Sequence, residues 1–178
     1  MSYFKEFPFI EQDINARTLS FYCKEGISRI DEGILNELRK IAVEEERSVR
    51  ICLHNSSTAD LHNMLICQYS NTYIRPHKHL SKSETYHIVE GEVALFIFDD
   101  EGNVIDQVNM SLQKKILCRI ERNYYHTLIP ITKYVIFHES RPGPFLKEND
   151  SFCPSWSVSP DEKSKIAHFI NTLLKLKK

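Results

Sequence analysis

No stretch of this chain approaches the roughly 20 consecutive apolar residues that a bilayer-spanning helix requires. Its opening residues, M-S-Y-F-K-E-F-P-F-I-E-Q-D, lack the charged-then-apolar order of a signal peptide, so the expected location is the cytoplasm and no membrane is expected as a partner. An excess of either charge is missing too. The 23 basic residues stand against 24 acidic ones, which leaves no basic field for a phosphate backbone and argues against nucleic acid as a partner. There is no C-x-x-C pair. The five cysteines, at positions 23, 52, 67, 118 and 153, are odd in number and scattered, which reads as reduced, mostly buried small side chains and not as a disulfide framework. Internal repeats and low-complexity linkers are also absent, so nothing in the sequence divides the chain into two domains.

What is present fits one domain with a real core: 178 residues, 42% of them hydrophobic and 26% charged. Residues 31–46 place Ile34, Leu35, Leu38, Ile41 and Ala42 at helical spacing behind Asp31 as N-cap, which predicts a packing helix. From about 48 to 139 the pattern changes to short runs of Val, Ile, Phe, Tyr and Thr broken by turn residues. V-A-L-F-I-F at 93–98 is apolar on both faces, as in a sandwich core, and D-D-E-G-N at 99–103 signals a hairpin. The fold class is therefore mainly β, a jelly-roll barrel or sandwich with one helix at each end. R-P-G-P-F at 141–145 cannot be a central strand and is expected to wrap a sheet edge or the barrel mouth, with Trp156 as an anchor or a stacking platform. Ser159 and Glu162 form a capping box with Pro160 in the first turn. Ile166, Phe169, Ile170, Leu173 and Leu174 make an apolar stripe expected to dock on the barrel, and lysines crowd the far end. The divisions are a leader at 1–29, a β domain with its packing helix at 30–158, and a terminal helix at 159–178.

The most informative stretch is R-P-H-K-H-L-S-K-S-E-T-Y-H-I-V-E-G, from Arg75 to Gly91. His77 and His79 are two apart, so on extended backbone both imidazoles share a face. Ser81, Lys82 and Ser83 suit a turn that folds Glu84 back opposite them. His126 lies in a later strand-like run, R-N-Y-Y-H-T-L-I-P. Three imidazoles and a carboxylate suit one divalent transition metal, with zinc, iron, manganese, nickel and cobalt all compatible, and leave coordination positions open for substrate or water.

The order H-x-H, four residues, E, six residues, G resembles the first signature motif of the cupin superfamily, with Asn71 where that motif opens on glycine. In the second motif Glu121 and Asn123 replace the central proline and glycine, Lys115 the first glycine and Pro130 the closing asparagine, while His126 keeps the ligand position. The succession I-D-x-x-I-L-x-E-L-x-x-x-A, R-x-x-L-H, T-Y-I-R-P-H-K-H-x-x-K-x-E-T, F-D-D-E-G-N-V, Y-Y-H-T, E-S-R-P-G-P-F and F-C-P-S-W, over about residues 30–156, is similar to the WbuC family of cupin-fold metalloproteins. That resemblance implies a metal site, a surface-polysaccharide context and a homodimer. It also brings forward Arg50 and His54, which match an arginine and a histidine of the family pattern, with Cys52 where asparagine is expected.

Parity sorts the neighbours of the ligands. Tyr86 shares the face of Glu84 and Tyr124 that of His126, so both are candidates for the pocket wall and for catalysis, with core packing the alternative fate; His87 points away. Arg75 has the parity of His77 and suits a carboxylate, phosphate or sugar acid, or else is a solvated strand-end charge, and Lys82 adds a second cation. His62, His138 and His168 read as structural or surface residues. Three functions stay open: a metal-dependent enzyme, of isomerase or lyase type, acting on a sugar or nucleotide sugar; an Fe(II) oxygenase; or a sensor or accessory protein that binds a small ligand through its metal. The intact ligand set argues against the metal-free sugar isomerases and epimerases of cupin type.

Overall fold

The computed structural model describes residues 3–146 and 149–176. Ten strands form two sheets: β1 (Ile10–Gln12), β2 (Leu19–Cys23), β3 (Val49–Cys52), β4 (Leu61–Tyr69), β5 (Glu84–Glu90), β6 (Val93–Phe98), β7 (Val104–Met110), β8 (Leu117–Ile120), β9 (Tyr125–Pro130) and β10 (Tyr134–Pro142). Helix α1 (Glu32–Glu44) lies between β2 and β3, and α2 (Lys163–Leu174) follows β10. One sheet runs β1-β2-β3-β4-β10-β5-β8 and the other β7-β6-β9. No helix among the described residues is long and apolar enough to cross a membrane.

The alternation of side chains assigns each face of each strand. On the inner side Tyr86 and Ile88 of β5, Val93 and Leu95 of β6, Leu128 of β9, and Val135 and Phe137 of β10 pack together between the sheets. On the outer side of the large sheet, Val49, Ile51, Leu65 and Cys67 bury Ile34, Leu38, Ile41 and Ala42 of α1. Asp31 caps that helix by accepting a hydrogen bond from the Ile34 N–H at 3.0 Å, as its sequence position predicts. The small sheet has its own cover: Ala94, Phe96, Phe98 and Ile129 pack beneath Phe169, Ile170 and Leu173 of α2. V-A-L-F-I-F is apolar on both faces because one face meets the barrel core and the other meets a helix.

Three boundaries depart from the sequence reading. Residues 10–12 and 19–23, read as part of a leader, are strands, and β2 pairs in parallel with β3. The run L-S-F-Y-C supplies the reason: Leu19, Phe21 and Cys23 fill the core under α1. Helix α2 begins only at Lys163, without a side-chain cap, and of the capping box one half survives, the Ser159 N–H donating to Glu162 Oε2 at 3.3 Å. Of the terminal lysines, Lys177 and Lys178 lie outside the described residues. Arg141 and Pro142 still belong to β10, pairing with β4, and only from Gly143 does the chain leave the sheet. Trp156 anchors the wrap that follows: its indole donates to the Asp100 carbonyl at 3.0 Å and its ring packs on Phe98 and Tyr125.

Gly91 turns the chain from β5 to β6 at φ 81°, where a Cβ would stand 2.7 Å from the Tyr134 carbonyl oxygen. Strained φ and a backbone clash combine, so Gly91→Ala should cost about 2–4 kcal/mol of unfolding free energy. Urea denaturation measures it, and a loss below about 0.5 kcal/mol, the size of an ordinary surface change, would show that the turn tolerates a side chain.

Candidate metal centre

The segment carrying His77 and His79 is held from both sides by backbone hydrogen bonds. His77 exchanges two with His126 of β9, at 3.1 and 2.9 Å, and Lys78 exchanges two with Phe152, at 3.0 and 2.9 Å. This clamp keeps the segment extended, so both imidazoles fall on one side, with ring centroids 5.2 Å apart. Glu84 enters from the start of β5 and His126 from β9. The four residues offer ligand atoms that all lie within 4.8 Å of one another. The sequence motif thus becomes a single cluster, with His79, Glu84 and His126 buried.

Each imidazole is oriented by a main-chain carbonyl. The Nδ1 of His77 lies 2.9 Å from the Arg75 oxygen and that of His126 lies 3.0 Å from the Tyr124 oxygen, while that of His79 meets the Asp150 oxygen. A carbonyl only accepts, so Nδ1 carries the hydrogen and Nε2 is left with its lone pair, the arrangement common to metal-bound histidine. His79 Nε2 is 3.3 Å from Glu84 Oε2, and His126 Nε2 faces Glu84 Oε1. Those last two atoms are buried and close, yet not aligned as a hydrogen bond. Buried polar atoms left so are rare, and a cation among them satisfies both. The donor set fits a divalent transition metal.

The electrostatics agree. Burial and the charge of His126 hold the His77 imidazole down to about 3, so it is unprotonated at neutral pH. Burial alone would raise the Glu84 carboxyl, but the charge of the neighbouring His126 outweighs it and holds Glu84 well below the usual carboxylate range. Burial also opposes a charge on His126, and there the Glu84 carboxylate prevails and raises it. Without metal the Glu84 carboxylate favours a proton on His126; with metal that proton has to leave.

The other candidates are distributed unevenly. Tyr86 is buried beside Glu84, its ring edge-on to Phe137 at 5.6 Å, and burial pushes its phenol well above the usual value, so it stays protonated. Tyr124 is 48% exposed and not on the interior face. The reason is that β9 begins only at Tyr125: Tyr124 lies outside the strand, just after Asn123, which at φ 72° takes the left-handed turn at the position of the family glycine, so alternation does not reach it. Asn71 is not left-handed and instead donates its amide to the Glu46 carbonyl at 2.9 Å. Arg75 spends its guanidinium on Ser157, at 2.7 Å to the hydroxyl and 3.2 Å to the carbonyl. Lys82 is buried, paired with Asp150 and donating to the Pro144 carbonyl at 2.5 Å. Arg50 and His54, by contrast, line an open cavity. His87 is exposed, in keeping with its parity.

Sequence reasoning missed Glu139, Arg141, Asp150 and His62. Arg141 Nη1 lies 3.4 Å from His79 Nε2 and 2.7 Å from Asp150 Oδ2, and its Nε is 3.4 Å from Glu139. Burial and the nearby Glu84 charge raise the Glu139 carboxyl against the pull of Arg141. Counting by two from the core residue Phe137 reaches Glu139 and Arg141, so the signal existed; the proline and glycine after Arg141 masked it. His62 is buried and stacks on His54, with centroids 4.2 Å apart and planes at 6°.

Comparison with known proteins agrees with this architecture. Residues 30–110 match the family described as a domain of unknown function (DUF6016). No curated protein matches in sequence. Among solved structures the chain is similar to the capsular polysaccharide assembling protein CapF from Staphylococcus aureus, with a TM-score of 0.52 and 12% identity over 72% of this chain and 34% of that one. It is also similar to protein SO0799 from Shewanella oneidensis, with a TM-score of 0.50 and 10% identity over 72% of this chain and 85% of that one. The chain spans about a third of the length of CapF. The fold is that of the cupins: a jelly roll of two sheets with a buried cluster of three histidines and a glutamate inside it.

Proposed function

We propose that the protein is a metal-dependent cupin of the WbuC type, acting on or binding a sugar or nucleotide sugar in bacterial surface-polysaccharide synthesis. The observation that carries the metal is the convergence of His77, His79, Glu84 and His126 with all three Nδ1 atoms engaged by carbonyls. The polysaccharide context rests on the sequence resemblance and is consistent with the likeness to CapF. A divalent metal bound there supplies Lewis-acid polarisation of a carbonyl or hydroxyl and lowers the pKa of bound water.

The chain's own residues set the rest. The clamp on His77 and the carbonyls on Nδ1 hold the imidazoles in one orientation, so little reorganisation accompanies ligand exchange. Tyr86 keeps its proton and serves as a hydrogen-bond donor beside Glu84. Glu139 holds its proton more firmly than an ordinary carboxyl, the property a general acid needs. Arg141, next to His79, places a fixed positive charge at the edge of the centre. A homodimer in the cytoplasm belongs to the same proposal, and a light-scattering mass of one chain would overturn that part.

The test is elemental analysis of untagged protein, followed by anaerobic incubation of the metal-loaded protein with nucleotide sugars. Near-stoichiometric metal, together with saturable binding or turnover of a sugar, is the expected result. Protein that is metal-free and cannot be loaded would sink the proposal. Oxygen consumption on adding substrate would move the assignment to an iron oxygenase.

A further inference from the structure

The two sheets differ in width, and the difference leaves part of the large sheet's inner face uncovered. Toward β8 the inward side chains make the core; toward β2 and β3 they line a cavity of about 560 Å³, within the usual range for small-molecule sites. Register joins this cavity to the metal centre: Tyr22 pairs with Cys52, Cys52 with Met64, Met64 with Glu139, and Glu139 with Tyr86, while His62 pairs with Arg141 in the next row. Arg141 belongs to both places, lining the cavity and standing 3.4 Å from His79 Nε2.

The cavity's charge is lopsided. Among the described residues Arg17, Arg50 and Arg141 line it against one carboxylate, Asp13, and of the three cations Arg141 is itself paired with Asp150 and Glu139. The arginine ion pairs among the described residues involve Arg39, Arg119 and Arg141, so among those residues Arg17 and Arg50 have no carboxylate partner. Arg50 is half-buried and anchored through its Nε to the Ser20 hydroxyl at 2.8 Å, which fixes the guanidinium. The stacked His54 and His62 form a flat wall between the cations. Burial pushes His54 down to about 4, so that wall contributes polar nitrogens and ring faces without charge at neutral pH. A positioned, unpaired guanidinium in a concave site attracts an anion, and its planar fork matches a carboxylate or a phosphate.

We propose that this cavity is an anion subsite in which Arg50, with Arg17 at the rim and Arg141 at the inner end, binds the carboxylate or phosphate of a sugar-sized ligand whose other end reaches the metal. The ligand class rests on the metal reading above; the subsite itself does not.

Cobalt-loaded full-length protein is titrated calorimetrically with glucuronate, glucose 1-phosphate and glucose, and the titrations are repeated on metal-free protein. At least one anionic sugar should bind at least about tenfold more tightly than glucose, and Arg50→Gln should remove that advantage while leaving the cobalt visible spectrum unchanged. Whichever of glucuronate and glucose 1-phosphate gains identifies the anion. Equal binding of glucose, or undiminished anion affinity in Arg50→Gln, overturns the subsite. So does an advantage that vanishes without cobalt, since the metal and not the arginines would then hold the anion. If Arg50→Gln fails to fold, Arg17→Gln at the exposed rim is expected to weaken the same binding and stands under the same criterion. Cobalt binding without anion preference sinks this inference alone, whereas anion preference in protein that takes up no cobalt sinks the metal reading alone.

Discussion

Replacing His126 with alanine lowers the affinity for a divalent transition metal by at least about 100-fold, because losing a ligand costs no less than losing the groups that merely orient one. Competition with a chromophoric chelator measures it, and a variant with the parent's affinity would remove His126 from the ligand set. The parent's affinity should also depend on pH in a definite direction. His126 is raised above its ordinary value through Glu84, so the metal must displace its proton. Affinity is full above that raised value and falls as pH drops through it, by about tenfold per unit below it. The decline therefore begins above the free imidazole value of about 6.5. His77, held down to about 3 by burial and by the charge of His126, takes up no proton in this window. An affinity flat from pH 8 to 6 would mean that Glu84 does not hold a proton on His126.

Asp150→Ala is expected to cost about 3–5 kcal/mol of stability, because it leaves buried cations without their counter-charge. Asp150 is 3% exposed and pairs with Lys82, 5% exposed, and Arg141, 8% exposed. These two cations hold the Asp150 carboxyl below its usual value even though burial opposes them. A domain of this length loses roughly 2–4 °C of Tm per kcal/mol, so the melting temperature should fall by on the order of 10 °C. Pairing the change with Lys82→Met should recover part of the loss, since removing both ends of a buried pair costs far less than removing one. If the double variant were less stable than the single one, Lys82 would be stabilising the fold through its stem packing and its bond to Pro144, not through Asp150.

Much of the fold was legible because its signals are local. Asp31 with the spacing of Ile34, Leu38 and Ile41 marked α1, and D-D-E-G-N marked the hairpin, where Gly102 takes φ 92° and the Asn103 N–H donates to Asp99 Oδ1 at 2.8 Å. The leader was harder, since three- and five-residue strands carry too few alternations to stand out and are strands only because β3 and α1 are there to pack against. Parity found His77, His79, Glu84 and Tyr86, but failed at Tyr124, which precedes the first residue of β9, and stopped short of Arg141, where following proline and glycine suggested a loop.

By itself the sequence determined the candidate ligand cluster, because imidazoles two apart on extended backbone and a glutamate behind a short turn leave little freedom in where their donors fall. Only the tertiary structure decided how the charges around them are used. Arg75 and Lys82 each stand two residues from a ligand in sequence, yet they are bound to Ser157 and Asp150 from a segment about 70 to 80 residues away. Arg50, His54 and His62 come from one stretch and Arg141 from another far along the chain, and they meet at one cavity through the pairing of β3, β4 and β10. Proximity along the chain fixes geometry over a few residues. Which buried cation is neutralised and which stays open to a ligand depends on strand order and on where the small sheet ends, and no local pattern encodes either.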